Sequence, residues 1–235
     1  MVDRTQLEEL AEATRRLIRS VDGMEDPAYA EPSLLPDWTR GHVVAHLALN
    51  AEGMSGALHG LTEGTSVPMY PSDEARDTDI LTLGESGPEA IRSRLLGGST
   101  DFVHAVAAVP EEAWGIDIDR TPGGRTFKAG AIPGMRHREV EIHHADLGLA
   151  YTHADWPATF AERLIEAMAK RHRPAPFSVH ATDLDRIWHV GQEGQTQGGP
   201  VVSGPAVELG WWLTGRGDGA GLSSNEGALP RIEAW

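Results

Sequence analysis

Histidine and glutamate recur at helical spacing in two parts of the chain. His42 and His46 are four residues apart, and so are Glu139 and His143. Residues at positions i and i+4 share one face of a helix, so each pair can direct its side chains towards one point. One histidine from the first pair and both residues of the second would suit Zn²⁺ with an open fourth position, as in catalytic zinc sites. Asp146, near the same face, could orient a ligand imidazole.

Spacing alone leaves the choice of ligands open. His137, Glu141 and His144 form a rival face of the second segment, where apolar residues flank both faces. In the first segment, periodicity slightly favours His46, because His42 lies roughly 40° further from the apolar side. The chain has 11 histidines, so some of these pairs arise by chance. Histidines in the core or on the surface, without a metal, are the alternative interpretation.

The elements that must position these residues are helical. Apolar periodicity and capping residues predict four helices in the first part of the chain, over residues 4–20, 33–64, 88–108 and 136–151. Asp37 or Thr39 is the candidate N-cap of the second helix, and Gly64 marks its end. A polar stretch with Gly64, Pro68 and Pro71 follows the second helix and ends in the charged cluster of residues 73–77. Residues 114–136 are predicted to form a hairpin or a long loop. Four such helices indicate a bundle, in which facing helices often build metal sites.

The pattern changes near residue 150. A helix is predicted over residues 160–172, strands over 177–183, 186–191 and 198–205, and a last helix over 206–219. We therefore predict an α+β protein. A four-helix metal-binding domain would span residues 1–153, and a small α+β domain residues 154–235.

Composition restricts the partners. The 235-residue chain has a formal net charge of −15, which argues against binding to nucleic acids and to anionic membranes. It has no cysteine, so a thiol required for chemistry must come from a cofactor. The N-terminal residues are charged throughout and no apolar stretch is long enough to span a bilayer. We expect a cytoplasmic protein, a monomer, that acts on a small molecule.

Four segments, taken together, resemble the mycothiol-dependent maleylpyruvate isomerases. WTRGHVVAHLALN is similar to the family's W-T-R-x-H-x-x-A-H-x-x-x-N pattern, and PMYPSDEAR to the loop that follows it. REVEIHHADLG resembles R-E-V-x-I-H-x-x-D-L-G, and VVSGPAVELGWWLTGRGDG resembles the C-terminal helix that ends in G-R-G. The matches run in order from about residue 33 to the C-terminus. The resemblance implies a DinB-like four-helix bundle followed by an α+β domain.

The resemblance also implies residue roles. It makes His46, Glu139 and His143 the ligands of Zn²⁺. Arg216 falls on the arginine of G-R-G and is the candidate catalytic residue. Arg76 in the loop is a candidate for binding a substrate carboxylate, and Asn50, which ends the first motif, is a further candidate for substrate binding.

The implied reaction is a cis–trans isomerisation assisted by mycothiol. Zinc would favour the thiolate of mycothiol, which adds to the double bond of maleylpyruvate. The resulting single bond rotates, and expulsion of the thiolate leaves fumarylpyruvate. Arg216 would stabilise the enolate or hold a carboxylate.

Two other functions fit the same residues. If the adduct is not expelled, the protein is a mycothiol S-transferase that acts on another electrophile. A thiol-dependent isomerase of secondary metabolism would also fit. A metal-binding scaffold without activity belongs to a different class, against which the G-R-G arginine and the open coordination position argue.

Overall fold

The structure is a computed structural model that describes residues 3–171, 175–191 and 198–233. The two predicted domains also include residues that lie outside these ranges, namely 1–2, 172–174, 192–197 and 234–235. The chain divides into two compact units, residues 1–150 and 151–235. No helix among the described residues is both long enough and apolar enough to cross a membrane.

Five α-helices and a hairpin form the first unit. The helices are α1 (Arg4–Asp22), α2 (Arg40–Glu63), α3 (Asp73–Gly84), α4 (Pro88–Ala108) and α5 (Ile132–Asp146), and the hairpin strands are β1 (Asp117–Asp119) and β2 (Thr126–Lys128). Helix α2 packs against α3, α4 and α5, while α1 packs against α5. Helices α1, α2, α4 and α5 form the predicted bundle. The hairpin is one of the two alternatives predicted for residues 114–136.

Local sequence explains where these helices begin. Thr39 caps α2, because its hydroxyl accepts a hydrogen bond from the backbone N–H of His42. Gly64 ends α2 in the left-handed conformation that glycine tolerates. Helix α3 begins in the charged cluster that ends the predicted polar stretch, and no helix was predicted over residues 73–84. Its start follows from Ser72, whose hydroxyl accepts from the N–H of Ala75, and from acidic residues in its first turn.

The second unit combines two helices with one sheet. Its elements are α6 (Ala158–Ala169), β3 (Phe177–Ala181), β4 (Arg186–Val190), β5 (Val201–Gly204), α7 (Ala206–Leu213) and β6 (Ser223–Ser224). The strand order is β4-β3-β5-β6, with β3 parallel to β5 and the other pairs antiparallel. Helix α7 ends at Leu213, earlier than predicted, and the residues behind it contribute β6. The α+β fold class is confirmed.

Helix α2 is the centre of the first unit. Most of its residues are buried, including Val43, Leu47, Met54 and Leu58. Helix α5 is also buried on more than one face. Polar groups on these helices therefore need partners inside the protein.

Candidate metal centre

Helices α2 and α5 bring two imidazoles and one carboxylate to one point. His46 Nε2 lies 2.9 Å from Glu139 Oε2, and His143 Nε2 lies 3.3 Å from the same oxygen. One ligand atom from each residue lies within 4.8 Å of the others, and this is the only such group of three within the described ranges. The rings of His46 and His143 are 4.7 Å apart and nearly perpendicular. The structure thus assembles the three residues that the resemblance selected.

Asp146 fixes the orientation of one imidazole. Its Oδ2 lies 2.8 Å from Nδ1 of His143, and its side chain is fully buried. The Nδ1–H donates to Asp146, which directs Nε2 towards Glu139 and leaves Nε2, once it has lost its proton, as the nitrogen available to a metal. This arrangement prepares His143 to act as a ligand through Nε2.

Protonation states in the group follow from burial and mutual contact. Burial lowers the pKa of His46 to about 4, so this imidazole is neutral at pH 7. Burial alone would raise the pKa of Glu139, but hydrogen bonds from His143 and His46 outweigh it, and the pKa falls well below its ordinary value. For His143, burial opposes the charged form, yet the hydrogen bonds to Asp146 and Glu139 prevail and raise its pKa. A neutral imidazole and an ionised carboxylate are the forms that bind metals.

An arginine and a tyrosine stand beside the group. Arg76 Nη2 lies 3.3 Å from Nδ1 of His46, and its guanidinium lies 5.8 Å from the ring centre of Tyr70. Arg120 approaches the same ring at 5.5 Å. Burial raises the pKa of Tyr70, and the charge of Glu139 acts in the same direction. The predicted substrate arginine therefore lies directly against a predicted ligand.

Asn50 connects this region to a buried arginine. Its Nδ2 donates to the hydroxyl of Tyr70 at 3.3 Å, and its Oδ1 accepts from Arg136 Nη1 at 2.8 Å. Arg136 Nη1 also donates to the carbonyl of Leu47 at 2.8 Å. Asn50, predicted to bind substrate, thus shares its amide between two other side chains.

The rival face of α5 packs against α1. Arg16 Nη2 donates to Glu141 at 2.8 Å, and Ser20 Oγ lies 2.8 Å from His144 Nε2. His137 lies 3.7 Å from the same carboxylate of Glu141. Glu141 and His144 are therefore part of the contact between α1 and α5.

His42, the rival on α2, belongs to a helix cap. Its Nδ1 accepts from the backbone N–H of Thr39 at 3.1 Å, and its own N–H donates to the Thr39 hydroxyl. A side chain held in this capping box is not part of the His46 group.

Arg216 lies in the second unit, in the glycine-rich turn after α7. Its Nη1 lies 3.4 Å from the carbonyl of Thr214, and its guanidinium is 5.8 Å from the ring of Trp211. Gly215 and Gly217 on either side have positive φ angles, a conformation that glycine adopts without strain. The G-R-G sequence thus forms a tight turn around the arginine.

Sequence reasoning missed several neighbours of the metal group. Trp38 packs its ring 5.7 Å from that of His46, and Tyr70 and Arg136 make the contacts described above. Trp38 and Tyr70 lie within the two motifs quoted for α2 and the following loop, which was the available signal. Gly53 was also missed. A Cβ there would lie 2.6 Å from the carbonyl oxygen of Met69 and 3.2 Å from the Tyr70 ring, so only glycine lets this loop lie against α2.

Comparisons with known proteins agree with these observations. The sequence model of the mycothiol maleylpyruvate isomerase N-terminal domain matches residues 10–148, and the MDMPI C-terminal domain matches residues 155–234. A crystal structure of the mycothiol-dependent maleylpyruvate isomerase is 28% identical, over 98% of this chain and 96% of that one, with a TM-score of 0.88. A histidine-to-alanine mutant of a mycothiol-dependent maleylpyruvate isomerase is 27% identical over the same shares, with a TM-score of 0.87. No curated protein sequence matches the chain. The chain belongs to the mycothiol maleylpyruvate isomerase family.

Proposed function

We propose that the protein isomerises maleylpyruvate to fumarylpyruvate with mycothiol as a thiol cofactor and a divalent metal, Zn²⁺, at its centre. The observation that carries the proposal is the group of His46, Glu139 and His143 in a chain that belongs to this family. The absence of cysteine is consistent with a thiol supplied from outside.

The donor set fits Zn²⁺. Two imidazole nitrogens and one carboxylate oxygen are ligands that Zn²⁺ accepts, and three protein ligands leave a position open. Asp146 supports His143 as a carboxylate partner commonly supports a zinc-bound histidine. A metal held by these residues would lower the pKa of a thiol at the open position.

The thiol, when bound, supplies a sulfur nucleophile whose reversible addition turns the double bond of maleylpyruvate into a single bond that rotates. The protein must then hold the substrate and stabilise negative charge on it. Both tasks call for cations near the substrate, because its carboxylates and the enolate are negatively charged. In a chain with a net charge of −15, these cations must be placed locally.

Arg76 is proposed to bind a carboxylate of the substrate. Its Nη2 lies 3.3 Å from Nδ1 of His46, and its Nη1 donates to Asp77 at 2.6 Å. A His46 that offers Nε2 as a ligand keeps its proton on Nδ1, and that nitrogen can no longer accept a hydrogen bond. Nη2 of Arg76 then needs another acceptor, and a guanidinium binds a carboxylate by charge-assisted hydrogen bonds.

Arg216 and Asn50 complete the proposal. Arg216, at the position of the family's G-R-G arginine, would stabilise the enolate oxygen by a charge-assisted hydrogen bond. Asn50 would contact the substrate next to Tyr70, the residue to which its amide donates.

The test is an isomerisation assay with purified protein, with and without mycothiol, paired with metal analysis. Wild type is compared with His46→Ala and with His59→Ala. His59 is the matched control, because it lies on the same helix but is about half exposed and pairs with Asp101 at 3.1 Å.

Activity that requires mycothiol and is lost in His46→Ala, but not in His59→Ala, would support the proposal. A protein that binds zinc and leaves maleylpyruvate unchanged would contradict the substrate assignment. Mass spectrometry of thiol adducts with other electrophiles would then test the S-transferase alternative.

A further inference from the structure

Tyr70 is a buried tyrosine beside the metal group, and the proposed reaction assigns it no role. Two guanidiniums lie near its ring, that of Arg76 at 5.8 Å and that of Arg120 at 5.5 Å from the ring centre. Such cation–π contacts favour one position of the ring. The other neighbour is the backbone of α2 at Gly53, where a Cβ would lie 3.2 Å from the ring. These contacts hold the ring in place and so fix where its hydroxyl lies.

The pair of Arg136 and Asn50 determines how the Tyr70 hydroxyl is hydrogen-bonded. A guanidinium can only donate, so the side-chain oxygen of Asn50 must face Arg136 Nη1, which lies 2.8 Å away. The amide nitrogen of Asn50 then faces Tyr70 and donates to its hydroxyl oxygen at 3.3 Å. Both Asn50 and Arg136 are buried. The hydroxyl oxygen is therefore the acceptor in this chain of bonds.

The hydroxyl hydrogen of Tyr70 is left for another acceptor. In the part of the chain that the structure describes, the groups that act on the hydroxyl are Asn50 and Arg76, and both are donors. Burial raises the pKa of Tyr70, so the hydroxyl keeps this hydrogen at neutral pH. A buried donor without an acceptor is unfavourable, and an oxygen of a ligand would relieve that cost.

The network lies in the layer of the bundle next to the metal group. Asn50 follows His46 by about one turn on α2, and Arg136 precedes Glu139 by about one turn on α5. The side chains of Glu139 and Arg76 are 18% and 21% exposed, respectively. A small ligand can therefore reach this side of the metal group.

We propose that the Tyr70 hydroxyl donates a hydrogen bond to the substrate carboxylate that Arg76 binds, and that Asn50 positions this hydroxyl. A carboxylate has two oxygens, so one can accept from the guanidinium and the other from the hydroxyl. A hydroxyl also adds a donor without adding a third positive charge beside Arg76 and Arg120. The inference rests on the substrate of the proposed function.

Isothermal titration calorimetry of the zinc-loaded protein with maleate measures this contact without turnover. Maleate has the carboxylate on a cis double bond that maleylpyruvate has. Tyr70→Phe keeps the ring but removes the hydroxyl, and it should weaken maleate binding by about tenfold. It should also raise the KM for maleylpyruvate by about tenfold with kcat nearly unchanged, because the contact exists before and during the reaction.

Tyr29→Phe is the matched control. Tyr29 is also buried and has a guanidinium over its ring, that of Arg92 at 4.9 Å. Its hydroxyl hydrogen is already used, because it donates to the carbonyl of Val21 at 3.0 Å. Tyr29→Phe should therefore leave the affinity for maleate unchanged. Equal losses in the two variants would overturn the proposal, since they would reflect the removal of any buried hydroxyl.

Asn50→Ala, made alone and together with Tyr70→Phe, tests the positioning role. Alone, it should weaken maleate binding by several fold, because the hydroxyl loses its orienting donor. In the Tyr70→Phe background it should change the affinity by less than about twofold, since no hydroxyl remains to be oriented. The cost of removing the acceptor of Arg136 is present in both backgrounds and cancels in the comparison. Additive losses would overturn the positioning role of Asn50.

The two measurements separate this inference from the proposed function. A wild-type protein that does not isomerise maleylpyruvate, but binds maleate about tenfold more tightly than Tyr70→Phe does, would contradict the function and support the role of Tyr70. Isomerisation by wild type with the same KM in Tyr70→Phe would support the function and overturn the role of Tyr70. Maleate that binds neither protein would also overturn it.

Discussion

Asp146 and His143 form a buried pair in which the carboxylate oxygen lies 2.8 Å from Nδ1 of the imidazole. The two residues lie about one turn apart on α5, and their contact through Nδ1 determines that Nε2 is the nitrogen that faces Glu139. An asparagine at position 146 would keep the shape but remove the charge that raises the basicity of the imidazole. Asp146→Asn should therefore reduce zinc affinity by about 10- to 100-fold, measured by competition with a chromogenic chelator.

The surface pair His59 and Asp101 is a matched control for this variant. The two side chains lie 3.1 Å apart but are about half exposed. Asp101→Asn should leave zinc affinity unchanged. A similar loss in both variants would mean that Asp146 does not act through His143.

Substitution of two glutamates on α5 should affect different properties, metal binding for Glu139 and stability for Glu141. Glu139→Gln removes a proposed ligand and should reduce zinc affinity by more than about a hundredfold. This loss would exceed the one expected for Asp146→Asn, which removes only a partner of a ligand. Glu141→Gln leaves the metal group intact but removes the charge opposite Arg16, 2.8 Å away. It should lower the free energy of unfolding by about 1–3 kcal/mol while zinc content is retained. Urea denaturation and metal analysis of both variants measure the two effects, and zinc loss in Glu141→Gln would contradict the assignment.

Arg76→Ala should act on substrate binding. Loss of a charge-assisted pair with a carboxylate predicts a KM for maleylpyruvate raised by about tenfold or more, with zinc content unchanged. Arg94→Ala is the control, because Arg94 pairs with Glu52 on the surface at 2.7 Å. An unchanged KM in Arg76→Ala would remove Arg76 from the substrate site.

Arg216→Ala should lower kcat by about 10²–10³, the effect of removing one donor to a developing oxyanion. Steady-state kinetics at saturating substrate provide the measurement. Arg186→Ala is a control in the same unit, since Arg186 also lies over a tryptophan ring, 4.9 Å from that of Trp188. A kcat reduced equally in both variants would indicate loss of folding in this unit and not loss of a catalytic group.

The family and the α+β fold class were predicted from sequence, and both are confirmed. Four helices of the first unit follow from periodicity and capping, and α4 has the predicted bounds. Helix α3 was missed because its short, polar sequence has little apolar periodicity. Its signals were Ser72 as N-cap and the acidic residues Asp73 and Glu74 after it.

Periodicity could not choose the ligands on α5, because this helix buries opposite faces. One face turns Glu139 and His143 towards α2, and the other packs Glu141 and His144 against α1. A helix with two buried faces has no polar side that marks the functional one. The roles of the metal ligands and of both arginines remain predictions.

Gly53 has no side-chain functional group, yet it sets the position of Tyr70. Any larger residue would meet the carbonyl of Met69 and push the loop away from α2. A saturation mutagenesis screen read out by activity should therefore rank Gly53 with the chemical residues. Its intolerance would reflect the space required by a neighbouring backbone, and a map of such intolerant positions would overstate the number of residues that take part in the reaction.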